Sequence, residues 1–183
     1  MTPTQEYIEQ LKLLHKKKSF GVNANIPGIV VEYIEKNQVT SLLDFGCGKG
    51  HALETFRQTF PELKCIGYDP AREDCNVLPE SVDFIYSADV LEHIEPDQLD
   101  DTLNDLYRRA NKGMYHLIAC HPAKKELSDG RNAHLIIEPP DWWKKKLQSL
   151  GWNITYDFVK DAMTKPKKGP PKHVVKYAVL IEK

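Results

Sequence analysis

The sequence predicts an α/β protein built on an open, mostly parallel sheet that ends in an antiparallel strand pair. Three observations carry the prediction. Short apolar runs alternate with helix-spaced stripes, the pattern of successive βαβ units. The first apolar run, residues 39–45, passes into a glycine-dense turn, Gly46-Cys47-Gly48-Lys49-Gly50, and then a helical stripe. The last two apolar runs, residues 154–159 and 174–181, have no helical stretch between them, so they should pair antiparallel.

Bulk composition narrows the class. A chain of 183 residues that is 41% apolar suits one domain with a real core. Lysine and arginine (25) nearly balance aspartate and glutamate (26), so no basic field argues for nucleic acid. No apolar run approaches the roughly 18 residues needed to span a bilayer, and no apolar leader opens the sequence. Cys47, Cys65, Cys75 and Cys120 form no CxxC pair. Reduced, partly buried thiols in a cytoplasmic protein are the expectation.

The elements follow in order. Tyr7, Ile8, Leu11 and Leu14 share one helical face, and a second short helix is expected over residues 26–36. These first 38 residues read as a helical lid on the domain, with the His15-to-Gly21 connection as a loop able to open and close. After the glycine turn, Ala52, Leu53, Phe56 and Phe60 face the sheet until Pro61 ends the helix. Residues 63–68 form the second strand, tipped by Asp69-Pro70. Residues 82–89 form the next, followed by Val90-Leu91-Glu92-His93-Ile94. Pro96 opens a helix with Leu99, Leu103, Leu106 and Ala110 in a stripe, and residues 114–120 make a strand ending at His121. A polar excursion over 123–137 precedes a helix that begins at Pro139-Pro140-Asp141 and ends at Gly151. Trp142 and Trp143 are adjacent on it, so one should face inward and the other outward. The proline-rich run 165–172 reads as a loop.

The glycine turn lies where nucleotide ligands bind in such sheets, at the carboxyl end of the first strand. Its spacing is G-x-G-x-G, neither the dinucleotide G-x-G-x-x-G nor a Walker loop. Asp44, two residues before the first glycine, suits a ligand carrying an ammonium group. Asp69, at the tip of the second strand, is placed to bind a ribose diol.

The runs LLDFGCGKG, IGYDP and VDFIYSADVLEHIEP together resemble class I S-adenosylmethionine-dependent methyltransferases, over most of the chain from Thr40 onward. The resemblance implies a Rossmann-like sheet. It implies that S-adenosyl-L-methionine is held by Asp44, Gly46, Cys47, Gly48, Gly50, Asp69, Pro70 and Asp89. By the same resemblance Asp74, ahead of Leu78-Pro79, is expected to reach the adenine amino group. One departure is clear. The family places a helix and a third strand between its second and fourth strands, whereas only residues 70–81 stand there in this chain. A bare crossover of that length fits, and the second strand should then lie at a sheet edge, in the order 2-1-4-5-7-6 by family numbering. That edge needs a cover, which a homodimer would supply.

The expected reaction is O- or N-methylation of a small-molecule or glycan-like acceptor by in-line displacement. It needs alignment, dryness and a proton acceptor. The candidate bases are His93, His121 and His134, each near the end of a strand or in the excursion, with Asp89 and Glu92 as carboxylate alternatives. Arg131-Asn132 and the lysines of 144–146 and 165–172 are candidates for recognising a polar or acidic acceptor. No N-P-P-Y or D-P-P-Y follows the strand ending at Asp89, which argues against amino-methylation of DNA bases. No metal-ligand cluster is visible along the sequence. A module that binds the cofactor or its demethylated product without turnover is the alternative. A nicotinamide oxidoreductase is disfavoured by the glycine spacing and the terminal strand pair.

Overall fold

The computed structural model describes residues 3–16, 24–164 and 170–183. Six strands form one sheet: β1 (Ser41–Phe45), β2 (Lys64–Tyr68), β3 (Val82–Ala88), β4 (Ala110–Ala119), β5 (Asn153–Thr164) and β6 (Lys172–Glu182). Their spatial order is β2-β1-β3-β4-β6-β5. The first three pairings are parallel, and β6 runs antiparallel to both β4 and β5. This is the order expected from the sequence, with β2 at one edge.

Among the described residues, five helices flank the sheet: α1 (Gln5–His15), α2 (Gly28–Lys36), α3 (His51–Thr59), α4 (Leu99–Arg109) and α5 (Pro140–Ser149), with 3-10 turns at Leu91–His93 and Pro96–Gln98. Alternation along the strands sends side chains to opposite faces and builds two cores. Leu42, Phe84, Tyr86 and Tyr115 meet Val30 and Tyr33 of α2 and Phe56 of α3. Leu43, Ile85, Met114 and Val179 meet Leu103 and Leu106 of α4 and Trp143 and Leu147 of α5. Because β1 is covered on both faces, it reads as a continuous apolar run. Trp143 is fully buried and Trp142 is half-buried against the same core, so both tryptophans contribute to packing.

Two strands are longer than their apolar runs. The expected span 154–159 becomes Asn153–Thr164, and 174–181 becomes Lys172–Glu182. The added residues form a two-stranded arm whose outer strand is mostly exposed, so burial never marks it with alternation. Pro96 opens a 3-10 turn rather than the helix proper, which begins at Leu99.

The crossover from β2 to β3 contains neither helix nor strand. It is tied down locally: Asp69 N–H donates to the Cys75 carbonyl (2.9 Å), and the Arg109 guanidinium reaches the Pro79 carbonyl. Helix α1 lies apart from the two main cores. Tyr7, Leu11 and Leu14 pack with Leu127 and Ala133 of the excursion after β4. Of the expected lid, α1 stands over the site, α2 packs under the sheet, and residues 17–23 lie outside the described residues, as do 165–169 of the basic loop.

Candidate active site

The glycine turn begins where β1 ends. Gly46 and Cys47 both donate their N–H groups to the Tyr68 carbonyl (2.8 and 2.9 Å), clamping the turn to the end of β2. Gly46 sits at φ +77°, and a Cβ there would lie 2.5 Å from a Val90 methyl, so both backbone and space demand glycine. Gly50 (φ +82°) is the N-cap of α3.

Two acids flank the turn. Asp44 is 3% exposed, and its Oδ2 is buried without a hydrogen-bond partner. Burial, reinforced by the negative charge of Asp69, pushes its carboxyl up to about 7. Asp69 accepts Gly48 N–H at Oδ2 and Ala71 N–H at Oδ1, both at 3.0 Å, so it fixes the turn and still keeps acceptor capacity on each oxygen. His15 Nε2, at the end of α1, stands 3.6 Å from Asp69 Oδ2.

These groups open on one cavity of about 490 Å³. Of the residues singled out in the sequence, Asp44, Gly46, Cys47, Gly48, Asp69, Pro70, Asp89 and His93 line it. Tyr7, Leu11 and His15 of α1 close another side, and Tyr86, Glu95, Gln98 and Thr102 complete the polar lining. Tyr7, Leu11 and His15 fall within the stretch read from sequence as a helical lid, whereas Tyr86, Glu95, Gln98 and Thr102 carry no site role in the sequence analysis. The Tyr7/Leu11 stripe is legible as a helical face, but its spacing does not say which residues it meets. Helix α1 is pinned in place: Thr4 donates from N and Oγ1 to the Glu95 carboxylate (2.9 and 2.7 Å), and the Tyr7 hydroxyl donates to the His93 carbonyl.

Other expected site residues lie elsewhere. Asp74 is off the cavity wall, with an exposed side chain bonded to Arg72 (Nε to Oδ1, 3.1 Å); the bare crossover turns it outward. It borders a second hollow together with Gly50. His121 and His134 also lie behind the wall rather than on it. Arg131 is engaged with Asp129 (Nε to Oδ2, 2.7 Å). The Asn132 amide is used to hold the loop, accepting Ala123 N–H and His134 N–H (both 2.9 Å) and donating to the Ala123 carbonyl (3.1 Å). Lys144 pairs with Asp157 at 2.9 Å and Lys146 pairs with Asp100. These side chains face partners of their own rather than the cavity.

Asp89 closes β3 in the left-handed region (φ +57°), which aspartate tolerates better than most residues. Lys176 Nζ holds both of its oxygens at 2.6 Å. Glu92 is wholly buried: Oε1 accepts Ala119 N–H (3.1 Å), and Oε2 has no hydrogen-bond partner. The His93 ring meets that of His134 edge-on at 4.8 Å between centroids, and His134 meets His121 at 5.7 Å. Burial, aided by the nearby His134, lowers His93 to about 4, and burial also lowers His134.

A methyltransferase-domain family model matches residues 12–155 of the chain. No curated protein sequence matches it. Solved structures share its fold at low identity. A 1,6-didemethyltoxoflavin-N1-methyltransferase from Burkholderia thailandensis, solved with its heterocycle and S-adenosylhomocysteine, aligns over all of this chain and 91% of its own, with TM-score 0.62 and 13% identity. A SAM-dependent methyltransferase from Archaeoglobus fulgidus aligns over 85% of this chain and 93% of its own (TM-score 0.53, 18% identity). TehB from Haemophilus influenzae covers 95% of this chain with 67% of its own (TM-score 0.55, 16% identity).

Proposed function

Given that the chain belongs to the methyltransferase-domain family and is an S-adenosylmethionine-dependent enzyme, we propose that it methylates an oxygen or nitrogen of a small-molecule acceptor. The observation that supports the cofactor assignment most directly is the orphaned Asp44 oxygen. A buried carboxylate without a partner is costly, and an ammonium group resolves that cost. The cradle fits the cofactor: Asp44 for the amino group, Gly46 and Gly48 for close backbone approach, Asp69 for the ribose hydroxyls, and Tyr68 and Pro70 as further wall. The cofactor supplies an activated methyl group on a sulfonium.

The chain's own residues supply binding, alignment and dryness. Helix α1 covers the cavity through Tyr7 and Leu11. Fixing two reactants in line can contribute about 7–11 kcal/mol. Proton removal is assigned to the His93 side of the cavity, with His134 and His121 behind it.

A small acceptor is supported by the cavity's volume, which lies in the range typical of small-molecule sites. The structurally similar enzyme that binds a toxoflavin precursor supports the same class. A sugar-bearing acceptor belongs to that class. The four free cysteines suit a cytoplasmic setting. The test is transfer of labelled methyl from S-adenosylmethionine into a fractionated extract. Label should enter low-mass products with the native enzyme and not with Asp69→Ala. Label in protein or nucleic acid would overturn the small-molecule reading. Tight S-adenosylhomocysteine binding without any transfer would favour a non-catalytic binding module.

A further inference from the structure

Glu92, His93 and His134 each bring one donor atom to a common point, all three lying within 4.8 Å of one another. We propose that they form a binding site for a first-row divalent metal ion, of the Zn²⁺, Mn²⁺ or Fe²⁺ class.

The side chains are oriented for this. His93 Nδ1 contacts the Ala133 carbonyl at 2.6 Å and His134 Nδ1 contacts the His121 carbonyl at 2.5 Å. A carbonyl only accepts, so both Nδ1 atoms carry the proton and both Nε2 atoms carry the lone pair. A backbone carbonyl behind each imidazole is the support that orients metal-binding histidines. His134 Nε2 lies 3.9 Å from Glu92 Oε1. Glu92 supplies the independent observation: it is 0% exposed, and its Oε2 is buried with no hydrogen-bond partner. One oxygen of this buried carboxylate, Oε1, faces the His134 lone pair, and the other, Oε2, has no hydrogen-bond partner, an arrangement that a cation would answer. Asp89, on the cavity wall, acts electrostatically on all three residues, opposed by its partner Lys176 at Glu92 and His134 and by Lys125 at His93.

Two imidazoles and one carboxylate make a donor set that suits first-row ions and leaves coordination positions open. Ligand bonds of about 2.0–2.2 Å place donors roughly 3–3.5 Å apart, so the three side chains would draw in by about 1–1.5 Å. Because His93 is part of the cavity wall, the ion would stand beside the donor pocket. Its use in catalysis rests on the proposed methyl transfer; its binding does not. With the ion present, the two imidazoles serve as ligands rather than bases. An acceptor hydroxyl bound to the ion loses its proton to solvent more readily. That favours acceptors offering an ionisable oxygen.

The experiment is titration of chelator-treated protein with Co²⁺, read by visible absorption, and with Zn²⁺, Mn²⁺ and Mg²⁺, read by calorimetry. One Co²⁺ per chain should bind with ligand-field bands of low coordination number. Zn²⁺ should compete, and Mg²⁺ should bind far more weakly. His134→Ala and His93→Ala should each weaken binding at least a hundredfold, while His173→Ala, at an exposed histidine, should leave it unchanged. Circular dichroism and S-adenosylhomocysteine affinity are measured on every variant. If the histidine variants lose the fold, Glu92→Gln, which keeps the shape, provides the readout and should show the same loss. Absence of stoichiometric Co²⁺ binding, or binding that survives in folded His134→Ala and Glu92→Gln, overturns the site. Retained S-adenosylhomocysteine binding in that case leaves the methyltransferase reading standing.

Discussion

Asp44 and Asp69 divide the work of one pocket by environment. Asp69 is satisfied by two N–H donors; Asp44 is held in a dry wall with one oxygen unanswered. Asp44 holds its proton from its ordinary 3.8 up to about 7 in the folded chain. The unfolded chain loses that proton near 4, so the folded state binds more protons between these values. Stability of the ligand-free protein should therefore fall as pH rises from about 4 to about 7, which denaturation at stepped pH would show. A bound ammonium reverses the preference. S-adenosylhomocysteine affinity should rise by up to about tenfold per pH unit below 7 and then level off, and Asp44→Asn should flatten that profile. At Gly46, alanine meets both a positive φ and the Val90 methyls. Gly46→Ala should cost about 1–3 kcal/mol in chemical denaturation and impair cofactor binding. The turn and the two acids beside it stand out along the sequence because a turn's chemistry is local. The Glu92–His134 meeting does not, since it joins the end of β3 to the excursion after β4, and no short-range spacing records that.

Helices declared themselves where they carry a stripe against the sheet. Trp143 and Leu147 of α5 lie at zero exposure, whereas Trp142 is only partly covered. Trp143→Ala should destabilise the fold by about 3–5 kcal/mol, and Trp142→Ala by clearly less, when compared by denaturant melts. The β5–β6 arm was under-read for the opposite reason. The outer residues of β5 make ladder hydrogen bonds without burying a face, so hydrophobic periodicity cannot find them. Its exposed Phe158 and Met163 make this edge, rather than β2, the more apolar of the two sheet edges. Asp74 was misplaced for a third reason. Shortening the crossover changes the direction of the chain, and resemblance by motif carries no direction.

At the scale of the molecule, strand order followed from the family resemblance, and connection lengths supplied its one departure and the terminal pairing. A short bare crossover leaves β2 at the edge, and two consecutive strands without a helix pair antiparallel. A helical lid was expected over the first 38 residues; what sequence order could not give is how α1 is seated, through contacts that reach across to Glu95, His93 and the excursion after β4. Because α1 packs in its own small cluster, deleting residues 1–16 should leave a cooperatively folding sheet with two intact cores. The same deletion should weaken cofactor binding, which melting curves and calorimetry would separate. The central claim is that the glycine turn and its two acids hold a sulfonium nucleoside, and calorimetry tests it most directly. S-adenosylmethionine and S-adenosylhomocysteine should each bind once per chain, NAD should give no binding heat, and Asp44→Asn with Asp69→Asn should abolish the signal in a folded protein. Binding of NAD in their place, or affinity for S-adenosylhomocysteine unchanged in that double variant, would contradict it.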